Sequence, residues 1–147
     1  MAPFIVLVSL FALLSVLGYF CVPVAFGWWT ALHLALAGMF LLTASAHWGK
    51  RRADLIRMVP ARFPRPDVLV TLTGIAELAG AAALLFPQAA RYGAIALLLL
   101  LIAVFPANVH AAREQLTIGG RPVPSIVLRT VLQIVFLAAV LLVAFGH

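Results

Sequence analysis

The chain has 147 residues, of which 65% are hydrophobic and only 10% charged, with a formal net charge of +6. Its mean hydropathy is +1.17. A water-soluble domain of this size could not hide so much apolar surface, so the solvent must be lipid. The basic balance has a topological explanation, because Lys and Arg collect in cytoplasmic loops. A nucleic-acid partner is excluded for want of a basic soluble face interleaved with aromatics. Cys21 is the only cysteine, so neither an intrachain disulfide nor a dithiol couple is available.

Five apolar runs are each about long enough to cross a bilayer as a helix, which takes roughly 20 residues. They are expected at Pro3–Val24, Trp28–His47, Val68–Phe86, Tyr92–Ala112 and Ile126–Phe145. A closed barrel would require alternating apolar and polar positions, which these runs lack. The first run has no Lys or Arg in its opening residues, and bulky Tyr19 and Phe20 precede Cys21. It therefore reads as a retained span rather than a cleaved leader. The expected fold class is all-α, an integral membrane helical bundle with five spans in a single transmembrane domain.

Lys50, Arg51, Arg52, Arg57, Arg62 and Arg65 fill the connection after the second run, and Arg113 and Arg121 fill the one after the fourth. The turn "PVAFG" carries no charge, and the turn after Phe86 carries only Arg91. By the positive-inside rule the N-terminus is expected in the cytoplasm and the C-terminus outside. Tyr19, Trp28, Trp29 and Tyr92 fall at the outer interface and Trp48 at the inner one. The basic loop, residues 49–66, holds "RRADLIRMVP", whose spacing suits a short helix in the headgroup plane.

Span three carries one charge in its apolar interior. Glu77 lies ten residues beyond Asp67, about 15 Å deep at helical rise. Hydrocarbon does not solvate a carboxylate, so the group is expected neutral, paired or at work. Thr73, Gly74 and Gly80 share its side of the helix, and such small residues let a neighbour approach closely. Other spans bring polar groups to similar or shallower depth: Thr43, Ser45 and His47; Asn108 and His110; Arg129 and Gln133, four apart and so on one face. His33 stands alone in the outer half. Pro106 removes a helical donor, which frees a carbonyl near Ile102 that Asn108 could serve. These placements imply a vestibule facing the cytoplasm, with Glu77 at its floor among Asn108, Gln133 and His47. Two roles stay open for Glu77: polar glue between helices, or a ligand or proton site. His47, His110 and Glu77 lack the i, i+4 spacing of a local metal pair, so no metal is assigned.

The segments "AGMFLLTASAHW", "MVPARFPRPDVLVTLTGIAELAGAAALL", "FPANVHAA" and "LRTVLQ" together resemble the DoxX family of small bacterial membrane proteins. The resemblance runs from about Leu36 to Leu141. It implies a four-helix core, here with an additional N-terminal transmembrane helix, and Trp48 follows His47 where the family has Phe. It further implies an accessory or partner-binding subunit of a membrane redox or quinone-linked system concerned with redox homeostasis. The partners implied are membrane or cytoplasmic redox proteins besides the lipid bilayer, with a homo-oligomer as a further expectation. No cofactor motif is present; a bound quinone or lipid is the expected ligand. Its polar end would meet Thr73, Glu77, Asn108, His110 and Gln133, with His47 and Arg129 at the mouth. The alternatives are a membrane-embedded enzyme with Glu77 as its catalytic general acid or base and a histidine relay, and a small transporter. The transporter ranks last because five spans are few and no inverted repeat is visible.

Overall fold

The computed structural model describes residues 1–20 and 27–146. Cys21, the end expected for the first span and most of the uncharged turn lie outside the described residues. Five helices are long and apolar enough to cross a membrane. They are α1 (Ala2–Phe20), α2 (Trp28–Ser45), α4 (Pro66–Leu84), α5 (Pro87–Arg113) and α6 (Ile126–Phe145), with the short α3 (Arg52–Met58) between α2 and α4. A two-stranded hairpin, β1 (Thr117–Ile118) and β2 (Arg121–Pro122), joins α5 to α6. The chain is an all-α membrane protein.

The helix limits move from the expected ones for local reasons. Pro66 and Pro87 occupy the first turns of α4 and α5, where proline's fixed φ suits the helix and its missing N–H costs nothing. Both helices therefore begin earlier than hydropathy places them. At the other end of α2, the backbone tightens after Ser45, with the N–H of His47 bonded to the carbonyl of Ala44. His47 thus stands in a turn just past the helix.

The packing follows chain order. Helix α1 lies on α2, α2 on α4, α4 on α5 and α5 on α6, while α6 touches α2 more lightly. Leu36, Met39, Phe40, Leu84, Leu97 and Val140 are the largest fully buried side chains. Outward positions such as Ile75, Leu99, Ile102, Val127 and Ile134 are exposed and apolar, as a lipid-facing surface requires. Small residues set the helix separations. A Cβ on Gly80 would come within 2.5 Å of Leu97, and one on Gly93 within 2.5 Å of Ala83. On the other side of the bundle, a Cβ on Gly38 of α2 would meet Leu10 of α1 at 2.5 Å. Packing contact is what binds helices in lipid, where apolar side chains gain nothing by leaving solvent.

Every Lys and Arg except Arg91 lies at one end of the bundle, in the α2–α4 and α5–α6 connections or the first turns of α6. There α3 and the hairpin are tied together. Gly119 and Gly120 turn the hairpin with φ of 59° and 75°, a region that side chains rarely enter. The Gly119 amide donates to Oδ2 of Asp54 at 2.8 Å, and Arg57 donates to Oδ1 of the same carboxylate. At the opposite end the Arg91 guanidinium lies over the Phe145 ring.

The Gly119 amide and the Arg57 guanidinium hold the Asp54 carboxyl below its ordinary value of 3.8. A depressed folded-state pKa means that the stabilisation is present above 3.8 and lost as pH falls through the lower folded value. Hydrogen exchange at the Gly119 amide should therefore show protection at neutral pH that fades only in strong acid, and Asp54→Ala should lose it at every pH. Separately, Gly93→Val should force α4 and α5 apart and destabilise the extracted protein by about 1–3 kcal/mol, read as a lower thermal unfolding midpoint in detergent.

Candidate functional site

The face that α4 turns inward carries Val70, Gly74, Glu77, Ala81 and Leu84 at alternating steps of four and three, one helical stripe. Gly74 is where α2 comes closest. A Cβ there would stand 2.7 Å from both Cβ and Cγ of His47 and 3.0 Å from Trp48. With no side chain at Gly74, the imidazole lies against α4 and meets Glu77 less than one turn further on. His47 is 8% exposed. Its Nδ1 is 3.1 Å from the carbonyl of Thr43 and 3.9 Å from Oε2 of Glu77. The shorter contact is a hydrogen bond, in which Nδ1 donates; the longer one exceeds hydrogen-bond reach. Oε2 of Glu77 is buried and has no hydrogen-bond partner among the described residues.

The other expected site residues lie on a different seam. Nη1 of Arg129 donates to Oδ1 of Asn108 at 2.6 Å, joining α6 to α5. Nε2 of Gln133 donates to the carbonyl of Leu101 at 2.6 Å, again from α6 to α5. Gln133 is 7% exposed, so this is a buried bond in low-dielectric surroundings. Pro106 withdraws the donor that would serve the carbonyl of Ile102, whereas the amide of Gln133 bonds the neighbouring carbonyl, that of Leu101. Asn108 accepts from Arg129 through its oxygen, and its amide nitrogen donates to no carbonyl of that stretch among the described residues. Thr73 turns back on its own helix, its hydroxyl 3.0 Å from the carbonyl of Leu69 and 3.1 Å from that of Val70. His110 is half-buried near the end of α5 and makes no side-chain hydrogen bond among the described residues.

The single floor expected for Glu77 is thereby corrected. Of its three expected neighbours only His47 is beside it; Asn108 and Gln133 are committed to the α5–α6 seam. Depth along a span follows from residue count, but the direction a side chain takes around the bundle axis follows from which helices are neighbours. A shallow groove of about 280 Å³ lies elsewhere, at the basic end of α2, between Leu42 and Arg51. Among the described residues, no group of three or more His, Cys, Asp and Glu side chains could hold a metal ion.

One residue at this site was read from sequence only as a topogenic charge. Arg52, the first residue of α3, donates from Nη1 to the carbonyl of His47 at 2.8 Å. Its Nη2 donates to the carbonyl of Asp67 at 3.1 Å and to the Thr71 hydroxyl at 2.9 Å. One guanidinium thus closes the exit of α2 onto the entrance of α4, just beyond His47. Its planar fork makes this possible, which a lysine could not reproduce. No local spacing marks it, because its partners are backbone carbonyls 5 and 15 residues away and a hydroxyl 19 away. Arg52→Met should cost about 2 kcal/mol through lost charge-assisted bonds and lower the thermal midpoint of the extracted protein, with Arg52→Lys recovering only part of it.

No curated protein and no solved structure matches the chain. Residues 36–144 match the model of a family described as a domain of unknown function, DUF8561. That stretch runs from the middle of α2 to the end of α6 and so contains His47, Arg52, Gly74, Glu77, Asn108, Arg129 and Gln133. With well over half of its length matched, the chain belongs to the DUF8561 family.

Proposed function

We propose that this protein is a membrane-embedded binding subunit, whose His47–Glu77 pair receives the polar end of a lipophilic molecule carrying carbonyl or hydroxyl groups, the class that includes quinones. The observation that carries the proposal is the buried Oε2 of Glu77, unpartnered among the described residues and 3.9 Å from Nδ1 of His47. An unsatisfied carboxyl oxygen in an apolar setting costs more than a typical hydrogen bond returns. A ligand hydroxyl donating to Glu77, or a carbonyl accepting from its protonated form, removes that cost. An acid inside a membrane span is a functional site by default, and this one has a titratable neighbour.

The likeness to the DoxX family supports placing the subunit in a bacterial inner membrane, beside a redox partner in a quinone-linked system. The concentration of Lys and Arg at one end supports an orientation with that end and the N-terminus in the cytoplasm and the C-terminus outside. The same pair also favours a second reading, an enzyme on a lipophilic substrate, with Glu77 as general acid or base and His47 as the group that exchanges its proton with the interface. The two readings share the site and differ in whether the bound molecule leaves altered.

Native mass spectrometry of the gently extracted protein separates them from a purely structural Glu77. The wild type should carry a small lipophilic molecule, and Glu77→Gln should retain about tenfold less of it or lower still, with its thermal midpoint unchanged. A wild type free of small molecules, or a Glu77→Gln variant that binds normally but unfolds early, would overturn the proposal in favour of glue.

A further inference from the structure

The groove at the basic end of α2 is independent of the His47–Glu77 pair, although the two are only a few residues apart in sequence. It is lined by Leu42, Ser45, Ala46, Gly49, Lys50 and Arg51. Leu42 and Ser45 lie one turn apart on the side of α2 away from the buried Ala44, and Ala46 and Gly49 follow in the turn beyond the helix. Gly49 adds no side chain to the lining, and a Cβ there would stand 3.3 Å from the carbonyl of Ser45.

The lining is of two kinds. Leu42 and Ala46 are apolar and belong to the part of α2 that crosses the membrane or lies just past it. Ser45, Lys50 and Arg51 are polar, and all three are exposed. Neither Lys50 nor Arg51 forms a salt bridge among the described residues; Asp54, which feels the charge of Arg51, is held by Arg57 and the Gly119 amide. Arg51 also lies close under the hairpin turn, its Nε being 3.5 Å from where a Cβ on Gly119 would stand. Two exposed cations, the Ser45 hydroxyl, which donates to the carbonyl of Leu42 at 2.7 Å and can still accept, and an apolar wall thus meet at one level. Trp48, half-exposed, marks that level as the boundary between hydrocarbon and headgroups.

We propose that this groove is a binding site for an anionic phospholipid, with the phosphate between Lys50 and Arg51 and the acyl chains running along Leu42. A free phosphate would satisfy the two cations equally well but would leave the apolar wall unused. The mixed lining, together with its position at the membrane surface, favours the lipid. Basic residues beside a transmembrane helix attract anionic lipid, by roughly fivefold in affinity for each Lys or Arg near the surface.

The test uses the full chain in phosphatidylcholine nanodiscs doped with phosphatidylglycerol, released into detergent and read by native mass spectrometry. The wild type should retain phosphatidylglycerol in preference to phosphatidylcholine. The double variant Lys50→Gln/Arg51→Gln should retain about thirtyfold less, whereas Arg62→Gln/Arg65→Gln, the same charge change at the same end, should retain as much as the wild type. A fall of equal size in both variants would overturn the site in favour of a diffuse surface attraction, and so would no fall in either. Inorganic phosphate added in competition should displace little lipid; full displacement at concentrations matching the lipid would reassign the groove to a free anion. Thermal midpoints of both variants, measured in parallel, should stay near the wild-type value, since none of the four side chains makes a hydrogen bond or salt bridge among the described residues and the stacking of Arg62 on Phe63 is an exposed contact between chain neighbours.

Discussion

The approach of α2 to α4 at Gly74 is the contact on which the rest of the site depends. Because that position offers only a hydrogen atom, the His47 side chain can come close to the neighbouring helix. That places its Nδ1 3.9 Å from the Glu77 carboxylate less than a turn along the same stripe. The glycine and the acid are therefore one device: the first opens the space and the second uses it. Arg52 closes the device from the water side by bonding the His47 carbonyl to the start of α4. In hydrocarbon, where water cannot repair a misplaced polar group, such a site has to be built by packing first and hydrogen bonding second.

Most of the architecture was legible in the sequence because lipid imposes a simple rule on composition. Length and hydropathy gave the five spans, and the distribution of arginines gave the shared basic end. The interior acid and its small-residue surroundings were visible for the same reason. What sequence could not supply was rotation about the bundle axis. Asn108 and Gln133 have a depth that fits Glu77, yet they face α6 and α5 across another seam. Arg52 looked like one more positive charge among several because its partners are mostly carbonyls, which every residue has. The hairpin did leave a signal, the Gly119–Gly120 pair between residues able to pair as strands, but its loop was read for charge alone.

The polar groups of the membrane interior divide by their degree of completion. On the α5–α6 seam, Gln133 and Asn108 have found partners, and their bonds join two helices. On the α2–α4 seam, Glu77 holds an oxygen in reserve. Satisfied groups in a bilayer act as fasteners, with modest energy and considerable specificity. An unsatisfied group is a cost that the surrounding fold must carry. Ser15, His33 and Arg129 also each keep one buried polar atom without a partner among the described residues; what sets Glu77 apart is that its open oxygen belongs to an acid and faces a titratable neighbour, His47.

The order in which the helices pack has a consequence for how the protein is made. Helix α1 rests on α2, α4 on α5 and α5 on α6, so most interfaces join segments that leave the ribosome one after the other. Among the larger interfaces the α2–α4 contact has to wait for an intervening segment, and α3 is that segment, with Arg52 at its head. Loop-closure entropy is small for such neighbours. Each helix can thus settle on its predecessor during insertion, leaving the light contact of α6 with α2 as the last to form. The bundle is a chain folded onto itself largely in reading order, with the α2–α6 contact as its one distant closure among the described helices.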